Sequence, residues 1–202
     1  MPNYNPSQFH GFEPSSEDIY AQFRRPPGDA VVNPRTLTPF LRVLLEIDGT
    51  VTRFIEAFTQ EGIAVLKLGQ GRLVLPDRVD FLEMEAGLEV TTRQVLLWGR
   101  ESRRIYAYGS SLIVPERLSE EARRMLAHPQ EGLGRIMRKT RMETYREILW
   151  KYREYTDVLP EAIRPLASMG LVSRTYRILC GGKPIMAINE KFPRVLDLPD
   201  HH

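Results

Sequence analysis

The run SRTYRILCGGKPIMAINEKFP, Ser173 to Pro193, constrains the fold more than any other part of the chain. Two alternating stretches flank Gly181-Gly182, and that pattern closes as a β-hairpin. Successive side chains of a strand point to opposite faces. In the second stretch one face carries Met186, Ile188, Glu190 and Phe192, and the other Ile185, Ala187, Asn189 and Lys191. Glu190 therefore falls on an apolar face between Ile188 and Phe192. An ionised carboxylate is expensive to bury there without a partner.

The same phase analysis finds cations in matching positions. In TTRQVLLWG, Arg93 shares a face with Val95 and Leu97; in SRTYRILC, Arg174 is in phase with Tyr176 and Ile178. Arginine keeps its charge, and its planar fork suits a carboxylate. Two arrangements satisfy these residues. One is a structural Arg–Glu pair across the sheet. The other is a closed cavity, in which Arg93 binds an anionic ligand and Glu190 holds its polar far end, with apolar walls and a few convergent polar groups.

Upstream, NPRTLTPFLRVLLEI has helical spacing, with Leu37, Phe40, Leu41, Leu44 and Leu45 in one stripe. DGTVTRFIEAFTQ reads as a second helix, capped by Asp48 or Thr50, with Phe54, Ile55 and Phe58 on its buried side. GIAVLKLGQGRLVL predicts two strands around a Gly-Gln-Gly turn; VTTRQVLLWG and RRIYAYGSSLIVP predict two more. PERLSEEARRMLAHPQ predicts a short helix, and EGLGRIMRK opens another. METYREILWKYREY fits a helix or a long strand. The sum is an α+β domain with a mainly antiparallel sheet of about six strands and helices packed against it. Residues 1–30, polar and proline-punctuated, are expected to form a flexible arm, and 31–198 a single domain.

Composition narrows the function. With 28 basic against 26 acidic residues the formal charge is +2, which predicts no nucleic-acid or membrane field. The segment after Met1 has no charged-then-apolar leader, and no apolar run reaches membrane-span length. A single cysteine, Cys180, excludes an internal disulfide framework, fits a cytoplasmic protein, and reads as a small core residue. His10, His128 and the terminal pair lack metal-ligand spacing. The glycine-rich entry EGLGR lacks the Lys-Ser/Thr ending of a nucleotide-binding P-loop. Its backbone N–H groups can still meet an anion.

Taken in order, LLEIDGTVTRFIE, TTRQVLLWG, YGSSLIVPERL, GLGRIM and RTYRILCGGKPIMAINEKFP resemble successive segments of chorismate pyruvate-lyases. The spacing is most similar to the divergent branch of mycobacterial 4-hydroxybenzoate synthases, where METYREILWKY also has a counterpart and is a strand. The resemblance implies cofactor-independent, metal-free elimination of pyruvate from chorismate to give 4-hydroxybenzoate, a precursor of quinones or phenolic lipids. It places the arginine that holds the ring carboxylate at Arg93. It places the assisting backbone amides near Val51 and at Leu133-Gly134, and the glutamate near the product hydroxyl at Glu190. Arg174 or Arg135 is then expected to receive the enolpyruvyl carboxylate or the leaving oxygen. One departure is Ser110-Ser111, where this branch often has Glu-Ser. The alternative is a non-catalytic binder of small aromatic acids, because the fold resembles effector-binding domains of bacterial regulators. Nothing in the chain resembles their winged-helix domain.

Overall fold

A computed structural model describes residues 15–25, 31–127, 132–154 and 170–194. Six strands form one sheet in the order β1-β2-β3-β6-β5-β4, and every ladder is antiparallel. They are β1 (Ile63–Val74), β2 (Glu89–Gly99), β3 (Ile105–Ile113), β4 (Thr144–Glu154), β5 (Leu171–Cys180) and β6 (Lys183–Pro193). The closing hairpin forms as its alternation predicts, turning through Gly181 and Gly182 at φ of 57° and 78°. Side chains other than glycine rarely adopt that region. The ambiguous METYREILWKYREY forms strand β4 from Thr144 to Glu154.

The expected pair of strands around Gly-Gln-Gly does not form. GIAVLKLGQGRLVL is a single strand, because its glycines sit inside the β1–β2 ladder, with a register shift between Lys67 and Gly69. Gly69 lies where a Cβ would come 3.1 Å from Oε1 of Gln94. Here glycine permits close strand approach at a bulge instead of a reversal.

Among the described residues, five α-helices pack on the sheet: α1 (Ser16–Ala21), α2 (Pro39–Glu46), α3 (Val51–Thr59), α4 (Glu120–Ala127) and α5 (Leu133–Lys139). Thr38 caps α2 through its hydroxyl and Pro39 occupies the first turn, a combination that pre-organises a helix start. The stripe Leu37, Phe40, Leu41, Leu44 and Leu45 is buried as read. In α3, Ile55 is buried, but Phe58 is 60% exposed and stacks sideways on Phe40 at 4.5 Å. Within the expected arm, residues 15–25 contain α1, and Ile19 and Phe23 enter the core beside Leu112 and Ala187. Residues 1–14 and 26–30 lie outside the described residues.

The helices divide between the two faces. Leu41, Leu44 and Ile55 of α2 and α3 meet Leu97, Ala107, Val172 and Phe192 over one end of the front face. Leu126, Ile136 and Met137 of α4 and α5 meet Tyr176, Ile178, Met186 and Ile188 over the other end. The gap between these two pairs of helices is the cavity described below. The back face, under α1, holds a buried polar layer. Lys191, 1% exposed, donates to Glu154 and Asn189, and Asn189 donates to Tyr152 and Thr175. Burial pushes the Lys191 ammonium below its usual range, against the pull of Glu154.

Candidate functional site

Directly paired residues of an antiparallel sheet share a face, so register fixes who can meet. One front-face row runs Arg93, Ser111, Ile188, Tyr176 across β2, β3, β6 and β5; the next runs Val95, Gly109, Glu190, Arg174. Glu190 and Arg174 are thus immediate cross-strand neighbours. Arg93 stands two strands and one row away from Glu190. Neighbouring strands are about 4.8 Å apart, so Arg93 starts about twice as far across the sheet from Glu190 as Arg174 does. Phase alone left both arginines as candidates; register selects Arg174.

The resulting bond is short and nearly dry. Arg174 Nε donates to Glu190 Oε2 at 2.8 Å, with the side chains 1% and 13% exposed. Arg174 Nη1 donates to the Ile47 carbonyl at 2.6 Å, and its guanidinium lies 4.9 Å from the Tyr176 ring centre. Tyr176 donates its hydroxyl to Glu190 Oε1 at 3.2 Å. Burial, and then the adjacent Glu190 charge, raise the Tyr176 phenol well above its ordinary value, so it remains a donor.

Glu190 opens onto a cavity of about 800 Å³. Its floor is formed by Val95, Gly109, Ser111 and Ile188, and its walls by the starts of α3 and α5. Gly109 keeps the floor low, since it lies between Val95 and Glu190 in their row. Val51, Leu133, Gly134 and Arg135 line this space together with Glu190. Neither helix start is closed by a side-chain cap: Thr50 and Gly132 both lack that bond. The first amides of such helices have no partner within the helix. The two starts touch, for a Cβ on Gly134 would come 3.2 Å from Cγ2 of Thr50.

Around the cavity, five arginines (Arg53, Arg100, Arg135, Arg138 and Arg146) face two carboxylates, Glu56 and Glu190. Arg93 is 1% exposed and lies on the front face in the row of Ser111 and Ile188, but it is not among the residues lining the cavity. Lys67, opposite Val95, is half-buried near it; burial and the Arg93 charge hold its ammonium below the usual value. Arg174 lines a neighbouring cavity of about 330 Å³. Cys180 is partly buried beside the core of α4 and α5. Among the described residues, no three His, Cys, Asp or Glu are grouped to hold a metal, and no helix is long and apolar enough to cross a membrane.

Tyr176, Arg146 and Lys67 are among the residues that the sequence patterns did not single out. Tyr176 was in phase with Arg174, so alternation carried its signal. Arg146 was hidden because its segment fitted either a helix or a strand. Lys67 was hidden by the bulge that reads as a turn. The departure at Ser110 resolves by face: it points to the back layer and donates to Gln22, the residue that ends α1, at 2.8 Å. Ser111 faces the cavity.

Sheet order and helix placement together define a chorismate lyase-like α+β fold. PhnF from Mycobacterium smegmatis has the same architecture, with a TM-score of 0.59 at 12% identity over 76% of this chain and 67% of that one. The effector domain of PhnF aligns at 0.56 and 12% identity, covering 72% and 88%. Likeness at such identity speaks for the fold alone. Sequence goes further, because residues 45–198 match the family model described as chorismate pyruvate-lyase, Rv2949c-like. The chain belongs to that family. A chorismate pyruvate-lyase of Mycobacterium leprae is 30% identical over 164 residues, 79% of this chain and 77% of the relative. One from Mycobacterium tuberculosis is 27% identical over 168 residues, covering 79% and 82%.

Proposed function

We propose that the cavity binds chorismate and eliminates pyruvate from it, leaving 4-hydroxybenzoate. The observation that carries this reading is the charge of the cavity wall: five arginines against two glutamates around a space of small-molecule size. Such a site favours a compact polyanion, and chorismate is a dianion. Membership of a family named for this reaction supplies the substrate class.

In the reaction the ring gives up its C4 hydrogen as a proton, the C3–O bond breaks, and the electron pair completes the aromatic ring. The departing enolpyruvate takes up a proton and becomes pyruvate. The protein's task is to orient the dianion and to stabilise negative charge growing on the leaving oxygen. Arg93, beside the floor, supplies the field for the ring carboxylate, and the uncapped amides near Val51 and Leu133-Gly134 are its hydrogen-bond donors. Glu190 takes the C4 end. A carboxylate has about four acceptor sites, so the bonds from Arg174 and Tyr176 leave room for the substrate hydroxyl. Glu190 is then the base for the C4 proton, and Arg135 adds positive charge to the cavity wall.

The test is direct. Purified protein is incubated with chorismate, and 4-hydroxybenzoate and pyruvate are measured. Release of both in equal amounts supports the lyase. Chorismate loss no faster than its spontaneous decay refutes it, and saturable binding without turnover points to a sensor of aromatic acids.

A further inference from the structure

The second cavity adjoins the first. Arg146 and Tyr176 line both, while Arg174 lines the second and its partner Glu190 the first. The Arg174–Glu190 pair is therefore part of a partition, and Arg146 stands at its open edge. β4 and β5 place Arg146 opposite Ile178 and Ile148 opposite Tyr176, so Arg146 points to the front face.

Two details give this edge a chemical character. Arg146 donates through Nη1 to the carbonyl of Asp48, and Arg174 through Nη1 to the carbonyl of Ile47. Consecutive carbonyls of the α2–α3 loop thus hold both guanidinium groups by one nitrogen each. On the other side of each fork, Arg146 Nε and Arg174 Nη2 are buried with no acceptor among the described residues. A buried donor on a cation is costly to leave unsatisfied, and such atoms mark places where a ligand binds. The charges also differ. Glu190 neutralises Arg174, whereas the hydrogen-bond partner of Arg146 is a neutral carbonyl. Arg146 keeps its charge for a ligand.

We propose that Arg146, assisted by Nη2 of Arg174, forms a second carboxylate subsite that selects dianionic over monoanionic six-membered-ring carboxylic acids. The inference rests on the lyase reading for the identity of the dianion, in which the enolpyruvyl carboxylate takes this place. The product 4-hydroxybenzoate has no group for it. Product therefore leaves without having to break this contact.

Calorimetric titration of wild type, Arg146→Gln and Arg146→Lys with chorismate and, separately, with 4-hydroxybenzoate tests it. Arg146→Gln is expected to weaken chorismate binding by about 10- to 100-fold, the worth of a charged hydrogen bond. Its affinity for 4-hydroxybenzoate should stay within about twofold, and Arg146→Lys should recover part of the loss because an ammonium lacks the fork. Unchanged 4-hydroxybenzoate binding also shows that losing the Asp48 contact has not displaced the loop. Equal losses for both ligands, or no loss for either, overturn the proposal. Wild-type turnover is read independently. Binding with the expected Arg146 dependence but no product sinks the lyase reading alone, and a wild type that does not bind chorismate overturns both.

Discussion

Glu190→Gln separates structure from chemistry at one residue. The amide is nearly isosteric with the carboxylate. Its oxygen can accept from Arg174 Nε, and its NH₂ can face the Tyr176 hydroxyl, which turns to accept. Hydrogen bonds therefore survive, and the main loss is charge. Arg174 is 1% exposed, so its cation would remain buried with the Ile47 carbonyl and a neutral amide. Removing one member of a buried pair costs about 3–5 kcal/mol. The retained acceptor and the 13% exposure of Glu190 put this case at the lower end, about 3 kcal/mol. For a chain of this size 1 kcal/mol moves the Tm by about 2–4 °C, so a fall of about 6–12 °C is expected. Turnover per folded molecule should fall by about 10²-fold or more if Glu190 accepts the proton. Melting curves of Glu190→Gln, Arg174→Met and the double variant complete the measurement. The double variant should be less destabilised than the sum of the singles, because it leaves no unbalanced charge. Strict additivity, or a Tm within about 2 °C of wild type in Glu190→Gln, would refute the pairing argument. A destabilised variant with full activity per folded molecule would refute the role as base.

Arg93→Ala should remove most ligand affinity, about 2–5 kcal/mol by titration, with partial recovery in Arg93→Lys; near-normal binding would move the ring-carboxylate site elsewhere. Cys180→Ser should leave turnover within a few-fold, and a large loss in a steady-state assay would count against its assignment as packing. Gly99→Ala should destabilise the protein by about 1–3 kcal/mol by denaturant titration, because its Cβ would fall 2.5 Å from Glu61 Oε1 and Ser102 Oγ; an unchanged midpoint would contradict that packing. Burial, reinforced by the hydroxyl's bond to Glu61, raises the Tyr106 phenol from 10.0 to about 12. A raised folded value means that this stabilisation is complete below pH 10 and is lost as pH rises towards 12. Tyr106→Phe should therefore lose stability less steeply in that window, and identical slopes would rule out this titration.

Alternation made β2, β3, β5 and β6 legible because each has a continuous apolar face, and a period of two survives burial on both sides. It failed where the backbone breaks the period. The bulge at Lys67/Gly69 made one strand look like two, and the shift between Ile148 and Trp150 in β4 let a strand pass for a helix. Phase identified Glu190, Arg93 and Arg174 as charges on an apolar face. Which of them touch depends on register: the shift between Ile178 and Leu179 in the closing hairpin sets Arg174 opposite Glu190, and alternation does not encode it. Phe58 failed for a related reason: the apolar stripe of α3 is wider than the surface available to cover it. Ile19 and Phe23 were obscured by the polar, proline-rich residues around them, although two apolar side chains four apart are enough to dock one short helix.

The strand order carries a kinetic consequence. β6, the last to be made of the six described strands, lies between β3 and β5 and forms the middle of the sheet. During synthesis, β1–β2–β3 can pair as a meander and β4 can wait for β5, but the two halves have no seam until residue 193 has emerged. β3 must meanwhile keep one edge open, and an unpaired edge is a template for wrong partners. The rate-limiting event should then be insertion of the closing hairpin, a long-range step late in folding. A nascent chain stalled before Lys183 would lack the glutamate as well as the seam, so the assembled cavity and the finished sheet arrive together.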